Sequence, residues 1–208
     1  MRRILWGRDT SSNVMKVIWL LEELKLPYER MDVGGAFGKT DTPSYRAMNP
    51  TGLVPTLQED EFSMWESNAI MRYICMSAAG DLPYYPDLMR QRGRIDQWLD
   101  CQQTQLNRPM GVVFWGMVRT KPADRDAAAL AQGVADAGRI WGFLEEPLSR
   151  HNYIAGDQLS IADIAWGVHV HRWFTMEIDR PPAPQLRAWY DRLLKRPVYK
   201  AHIARPLV

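Results

Sequence analysis

Cysteine is scarce in this 208-residue chain: Cys75 and Cys101 stand apart, with no Cys-x-x-Cys pair. That excludes a disulfide framework and fits small, buried, reduced thiols in a cytoplasm. No apolar run approaches the roughly 18 residues of a bilayer span. The opening "MRRILWGRDTSS" is too poor in apolar residues for a secretory core, so neither membrane nor export is expected. Charge of one sign is missing as well: 26 basic residues face 24 acidic ones, without a basic block, which argues against nucleic acid as a partner. "RDTSSN" lacks the glycines of a phosphate loop. His169 and His171 lie two apart on a helical stretch and so face apart, which speaks against a metal pair.

What is present is an ordinary globular composition, 46% hydrophobic and 24% charged, large enough for one big domain or two small ones. The pattern changes near residue 80. Before it, "RRILWG" reads as a strand and "SNVMKVIWLLEELKL" as a helix, with Val14, Val17, Ile18 and Leu21 on one face. "PYERMDV" reads as a second strand. "VPTLQ" and "FSMW" form a hairpin around "EDE", and "ESNAIMRYI" is helical with Ile70, Tyr73 and Ile74 on one face. This order suits a small α/β domain. Residues 78–87, "AAGDLPYYPD", read as a linker. Beyond it the chain reads as all helix. One long helix carries Ile95, Trp98, Leu99, Gln102 and Leu106, and another carries Leu130, Val134, Ala137, Trp141, Leu144 and Leu148. "LSIADIAWGVHVHRW" and "APQLRAWYDRLLKRP" supply two more. Within the third of these, Ser160 and Asp163 have capping-box spacing, with Leu159 and Ile164 at staple positions, a device for starting a helix.

One stretch is out of keeping with its surroundings. "TGLVPTL" places Pro55 at the head of a strand, where proline is rare because it cannot donate to the ladder. With "TSSNVMKV" after the first strand, "NPTGLVPTL" before the hairpin, "WESNAI" opening the third helix and "GDQLSIADI" near the end, the chain resembles the cytosolic glutathione transferases over nearly its whole length. Within them it is similar to bacterial, serine-type members of theta- or nu-like character. The resemblance implies an α/β thioredoxin-like glutathione-binding domain over residues 1–80. It implies an all-α domain over residues 88–208 that carries the electrophile site.

It also implies roles for residues. Pro55 would follow a cis bond, and Val54 would offer its backbone N–H and C=O to the cysteinyl unit of glutathione, as an added strand would. Ser67, at a helix N-terminus that favours anions, would hold the γ-glutamyl carboxylate, and Glu66 the ligand's ammonium; either could instead simply cap the helix. Lys39, in "GAFGKTDTP", would reach the glycyl carboxylate, or remain a solvated loop lysine.

Glutathione reacts as thiolate, and a thiol near pKa 8.5 is only a few per cent ionised at neutral pH. A hundredfold gain in acidity takes roughly 2.7 kcal/mol of preferential interaction with the anion. Hydrogen-bond donors at the start of the first helix could supply it. Ser11 is the leading donor and Asn13 its partner in a Ser-x-Asn pattern; Ser12 competes, with Thr10 behind it. No tyrosine or cysteine occupies this turn, which speaks against tyrosine-type catalysis and against a mixed disulfide. "SSN" also departs from the Ser-Ser-Cys of zeta-type isomerases. Met110, Val113, Phe114 and Met117 could line a pocket for a small hydrophobic electrophile, or belong to the helix-packing core.

The expected function is therefore conjugation of glutathione, as co-substrate and without a metal, in a cytoplasmic homodimer that serves detoxification. Glutathione-dependent disulfide reduction and a non-catalytic scaffold on the same fold are the alternatives.

Overall fold

The computed structural model describes residues 2–78 and 83–208. The chain separates into two compact units, Met1–Gly80 and Asp81–Val208. Most of the short linker read from the sequence lies at that boundary, and residues 79–82 fall outside the described residues.

The first unit is built on four short strands, β1 (Arg3–Trp6), β2 (Glu29–Met31), β3 (Thr56–Glu59) and β4 (Phe62–Trp65), in spatial order β2-β1-β3-β4. β1 and β2 are parallel; β3 is antiparallel to both β1 and β4. The parallel pair is joined by α1 (Ser12–Glu23), and α3 (Ser67–Ser77) follows the hairpin. The period-3.6 pattern of α1 predicts one apolar face, but the fold buries eight consecutive residues from Val14 to Leu21, so α1 is enclosed on more than one side. β3 begins after Pro55, leaving the proline clear of the ladder as its missing N–H requires.

Between β2 and β3 lies α2 (Pro43–Met48), which hydrophobic periodicity does not reveal because only Tyr45 of its six residues is buried. Its signal is local. Thr42 caps it by accepting from the Tyr45 N–H at 3.3 Å, and Pro43 occupies the first turn, where a missing N–H costs nothing.

The second unit is helical throughout. A long run begins with α4 (Met89–Cys101), passes through a π-helical turn at Gln102–Leu106, continues as α5 (Asn107–Phe114) and ends in a second π turn at Trp115–Arg119. At the first π turn Gln102 is fully buried, its amide 3.1 Å from His169 Nε2. The single helix expected over residues 130–148 is two. α6 (Ala127–Trp141) gives way to a 3-10 turn at Gly142–Leu144 and then α7 (Glu145–Arg150). α8 (Ile161–Thr175), α9 (Pro184–Leu193) and α10 (Pro197–His202) complete the unit. α8 is its axis, buried from Ile161 to Trp173. Trp141 and Trp166 meet edge to face with centroids 5.4 Å apart, and Trp98 packs on Trp166 at 5.7 Å, within the range where aromatic geometry adds to burial. His171 sits between Tyr190 Oη and the Arg205 carbonyl, each at 2.8 Å, so the two histidines serve different partners.

The start of α8 is closed by its own residues. The Asp163 carboxylate accepts from the Ser160 N–H (2.9 Å) and hydroxyl (3.0 Å), the Ile154 N–H (3.0 Å) and Trp189 Nε1 (3.0 Å). Burial pushes its pKa up to about 6, while those four donors pull the other way.

Candidate active site

One corner of the first unit gathers three of the segments singled out in the sequence. Gly7 ends β1 with φ 153°, and a Cβ there would lie 2.4 Å from Val14 Cγ2 and 3.3 Å from Val54 Cβ. Only glycine lets the first turn of α1 and the Val54 loop close on the strand end together. α1 and α3 are joined at their N-termini: Ser67 Oγ donates to Asn13 Oδ1 at 3.3 Å.

Ser11 is the N-cap of α1, with extended backbone (φ −78°, ψ 125°), yet its side chain makes no cap hydrogen bond. Its carbonyl accepts from the Met15 N–H at 2.8 Å, as a cap should, while the hydroxyl is not consumed by the helix it starts. Ser11, Ser12 and Asn13 are all half-buried.

The Val54–Pro55 bond is cis. Val54 is half-buried, and neither its N–H nor its C=O has a backbone partner among the described residues. The loop that carries it is held from behind by buried polar groups. Asn49 Nδ2 donates to the Leu53 carbonyl and to Thr56 Oγ1, both at 2.9 Å, and its Oδ1 accepts from Thr51 N–H and Oγ1 at 3.1 and 2.6 Å. The Tyr45 hydroxyl adds a 2.7 Å bond to the same Leu53 carbonyl. Gly52, with φ 65°, is pinned beneath the Arg46 guanidinium, 2.4 Å from where a Cβ would stand.

Glu66 is the N-cap of α3 at φ 71°, ψ 110°, a conformation that non-glycine residues rarely adopt and that tends to persist at functional sites. Its side chain is exposed and caps nothing, while Ser67 beneath it is buried. Lys39 is exposed, with φ 68°, in the turn before α2, and its carbonyl accepts from Thr42 Oγ1 at 2.9 Å. Arg8, half-buried, lays its guanidinium against the backbone of Gly34 and Gly35.

Sequence reasoning passed over Lys16. It is completely buried, with Nζ 3.5 Å from Ser67 Oγ and 3.3 Å from Asn68 Oδ1. Burial pushes its pKa down to about 7, and the nearby Glu66 carboxylate pulls it back up. A lysine in the middle of an apolar face, between Met15 and Val17, was the available signal.

In the second unit the four residues proposed for an electrophile pocket divide. Met110, Val113 and Phe114 are buried and Met117 is half-buried. Val113 faces Gly133 of α6, and Phe114 lies under the Arg172 guanidinium of α8, 4.0 Å from the ring centroid.

A mixed four-stranded sheet in βαβαββα order, with a cis-proline ahead of its third strand, defines a thioredoxin-like unit, and an all-helical unit follows it. The family model for the N-terminal domain of glutathione S-transferases matches residues 1–75, and the one for the C-terminal domain matches residues 127–192. Glutathione S-transferase GstB of Escherichia coli is 36% identical over 206 residues, 98% of each chain. The theta class glutathione S-transferase of Xanthomonas axonopodis pv. citri, solved with glutathione bound, superposes with a TM-score of 0.94 at 40% identity over 99% of both chains. A glutathione S-transferase of Pseudomonas fluorescens gives 0.86 at 28% over the whole of both. The chain belongs to the glutathione S-transferase family.

Proposed function

We propose that this protein activates the thiol of glutathione and adds it to small hydrophobic electrophiles. The observation that carries the reading is the junction at the first unit's corner. An uncommitted hydroxyl at Ser11, an unpaired backbone edge at Val54 and the Glu66–Ser67 helix start belong to segments drawn together by Gly7 and by the Ser67–Asn13 bond. A tripeptide docked on that edge pairs its cysteinyl backbone with Val54 ahead of Pro55. Its γ-glutamyl carboxylate meets Ser67 and the α3 dipole, and its ammonium meets Glu66. Its sulfur then reaches the start of α1, where Ser11 and Asn13 donate to the thiolate and lower its pKa. Lys39 serves the glycyl end.

The electrophile binds on the helical unit near the end of α5, with Met117 offering surface and Met110, Val113 and Phe114 forming the packed layer behind it. A cytoplasmic homodimer with a role in detoxification completes the reading. Cys75 and Cys101 form no disulfide, and among the described residues no helix is long and apolar enough to cross a membrane. Sedimentation at micromolar concentration is expected to give twice the mass of the chain.

The test is calorimetric titration with glutathione followed by conjugation of an aryl halide. Affinity weaker than about 10 mM, beyond the roughly 4 kcal/mol of a millimolar site, would leave a scaffold. Binding with reduction of a small disulfide but no conjugation would assign the site to reductase chemistry instead.

A further inference from the structure

Buried lysines are rare, and a fully buried one carries a desolvation cost that the rest of the fold must offset. Lys16 is such a residue, and its position determines how protons are ordered in the corner described above. In its protonated form, which the Glu66 carboxylate favours, Lys16 has three protons and no lone pair, so at the 3.5 Å contact Ser67 Oγ can only accept. A hydroxyl has one proton of its own, and that proton goes to Asn13 Oδ1 at 3.3 Å. The Asn13 amide is thereby oriented: its carbonyl side faces Ser67, and its Nδ2 side faces away, with no hydrogen-bond partner among the described residues. The 3.3 Å contact to Asn68 Oδ1 holds the ammonium from the next position of α3, and the charge acting on it from that helix is Glu66.

We propose that Lys16 is a positioning residue for glutathione. Its buried ammonium directs a one-way chain of donors through Ser67 to Asn13, so that the Asn13 amide protons face the thiolate. The same charge sits beneath the helix start that receives the γ-glutamyl carboxylate. The γ-glutamyl carboxylate and the cysteinyl sulfur are thus both served by one side chain that touches neither. The inference rests on the glutathione-binding reading, and its test separates the two.

Wild type, Lys16→Met and Lys16→Gln are titrated with S-methylglutathione, which has no ionisable thiol and reports the carboxylate end. The ultraviolet absorbance of bound glutathione thiolate is then followed against pH, which reports the sulfur end. In Lys16→Met, affinity for S-methylglutathione is expected to fall about tenfold and the acidity of the bound thiol about tenfold, effects in the range of one charge-assisted hydrogen bond. Its thermal midpoint is expected to hold or rise, because a desolvated charge has gone. Lys16→Gln keeps a donor without the charge and is expected to lose the affinity but retain part of the thiol effect. In an Asn13→Ala background Lys16→Met should bring no further loss of thiol acidity, as two members of one chain require.

Variants that fold and match wild type in both titrations overturn the proposal. So do additive losses in the double variant, and so does failure of both substitutions to fold, which would make Lys16 a stability residue. A wild type that does not bind glutathione overturns the functional reading itself, and this inference with it.

Discussion

At the start of α8 a buried carboxylate collects four protein donors; at the starts of α1 and α3 the cap positions belong to Ser11 and Glu66, whose side chains cap nothing. All three helices begin with the same surplus of backbone N–H groups and the same positive end of a dipole. In α8 the requirement is met by Ser160 and Asp163, and the result is a sealed, buried corner of the helical unit. In α1 and α3 the cap side chains leave it unmet, which on the proposed reading suits a ligand, and Glu66 is held in a strained backbone conformation as well. A helix start capped by its own residues serves stability; on the proposed reading, the two whose cap side chains stay uncommitted serve glutathione.

Breaking the closed start gives the largest effect. Asp163→Ala strands four buried donors and is expected to cost about 3 kcal/mol or more in denaturant unfolding. The fraction that stays folded should bind glutathione with unaltered affinity. Ser11→Ala is the converse. Losing a donor aimed at a developing anion should reduce kcat/KM for conjugation about a hundredfold. Stability should stay within about 0.5 kcal/mol, below the usual penalty for removing an N-cap serine, because no cap bond is lost. A large drop in stability with rate retained would reverse the assignment.

Asn49→Ala falls between the two. It removes the group that ties Leu53, Thr51 and Thr56 together, so about 2 kcal/mol of stability is expected to go, along with a higher KM for glutathione as the Val54 edge loosens. The most gradual effect is in pH, smallest per unit of change. Folded Lys16 gives up its proton near pH 7, whereas an unfolded lysine keeps it to about 10.4. The unfolded state therefore binds more protons across that window, and stability rises with pH by up to about 1.4 kcal/mol per pH unit from this group. Urea unfolding from neutral to alkaline pH should show the rise in wild type and a flatter profile in Lys16→Met. A matching slope in both would remove Lys16 as its source.

Much of the candidate site was legible because its elements are local. The Ser-x-Asn turn, the Val-Pro pair and the Glu-Ser helix start are each contiguous, and the Ser160–Asp163 box is a spacing of three. α2 is equally local, since Thr42-Pro43 is a cap followed by a first-turn proline, but six residues with only Tyr45 buried carry no hydrophobic period. Residues 142–144 show the opposite error: apolar spacing ran on through Leu144 and Leu148 although the backbone turns between α6 and α7. Lys16 and Asn49 could not have been read from spacing. The Ser67 partner of Lys16 is 51 residues away, and the polar contacts of Asn49 depend on a loop folding back over it.

The sequence by itself determined where helices start, where the ladder must stop at Pro55, and that an α/β segment precedes a helical one. These follow from capping, from a missing N–H and from hydrophobic period, which act over a few residues. Only the tertiary structure decided which helix starts are capped by their own side chains, and that a lysine lies buried beneath two that are not. Those outcomes depend on which distant side chains burial brings within hydrogen-bond reach, and on the cost of leaving a polar group there without a partner.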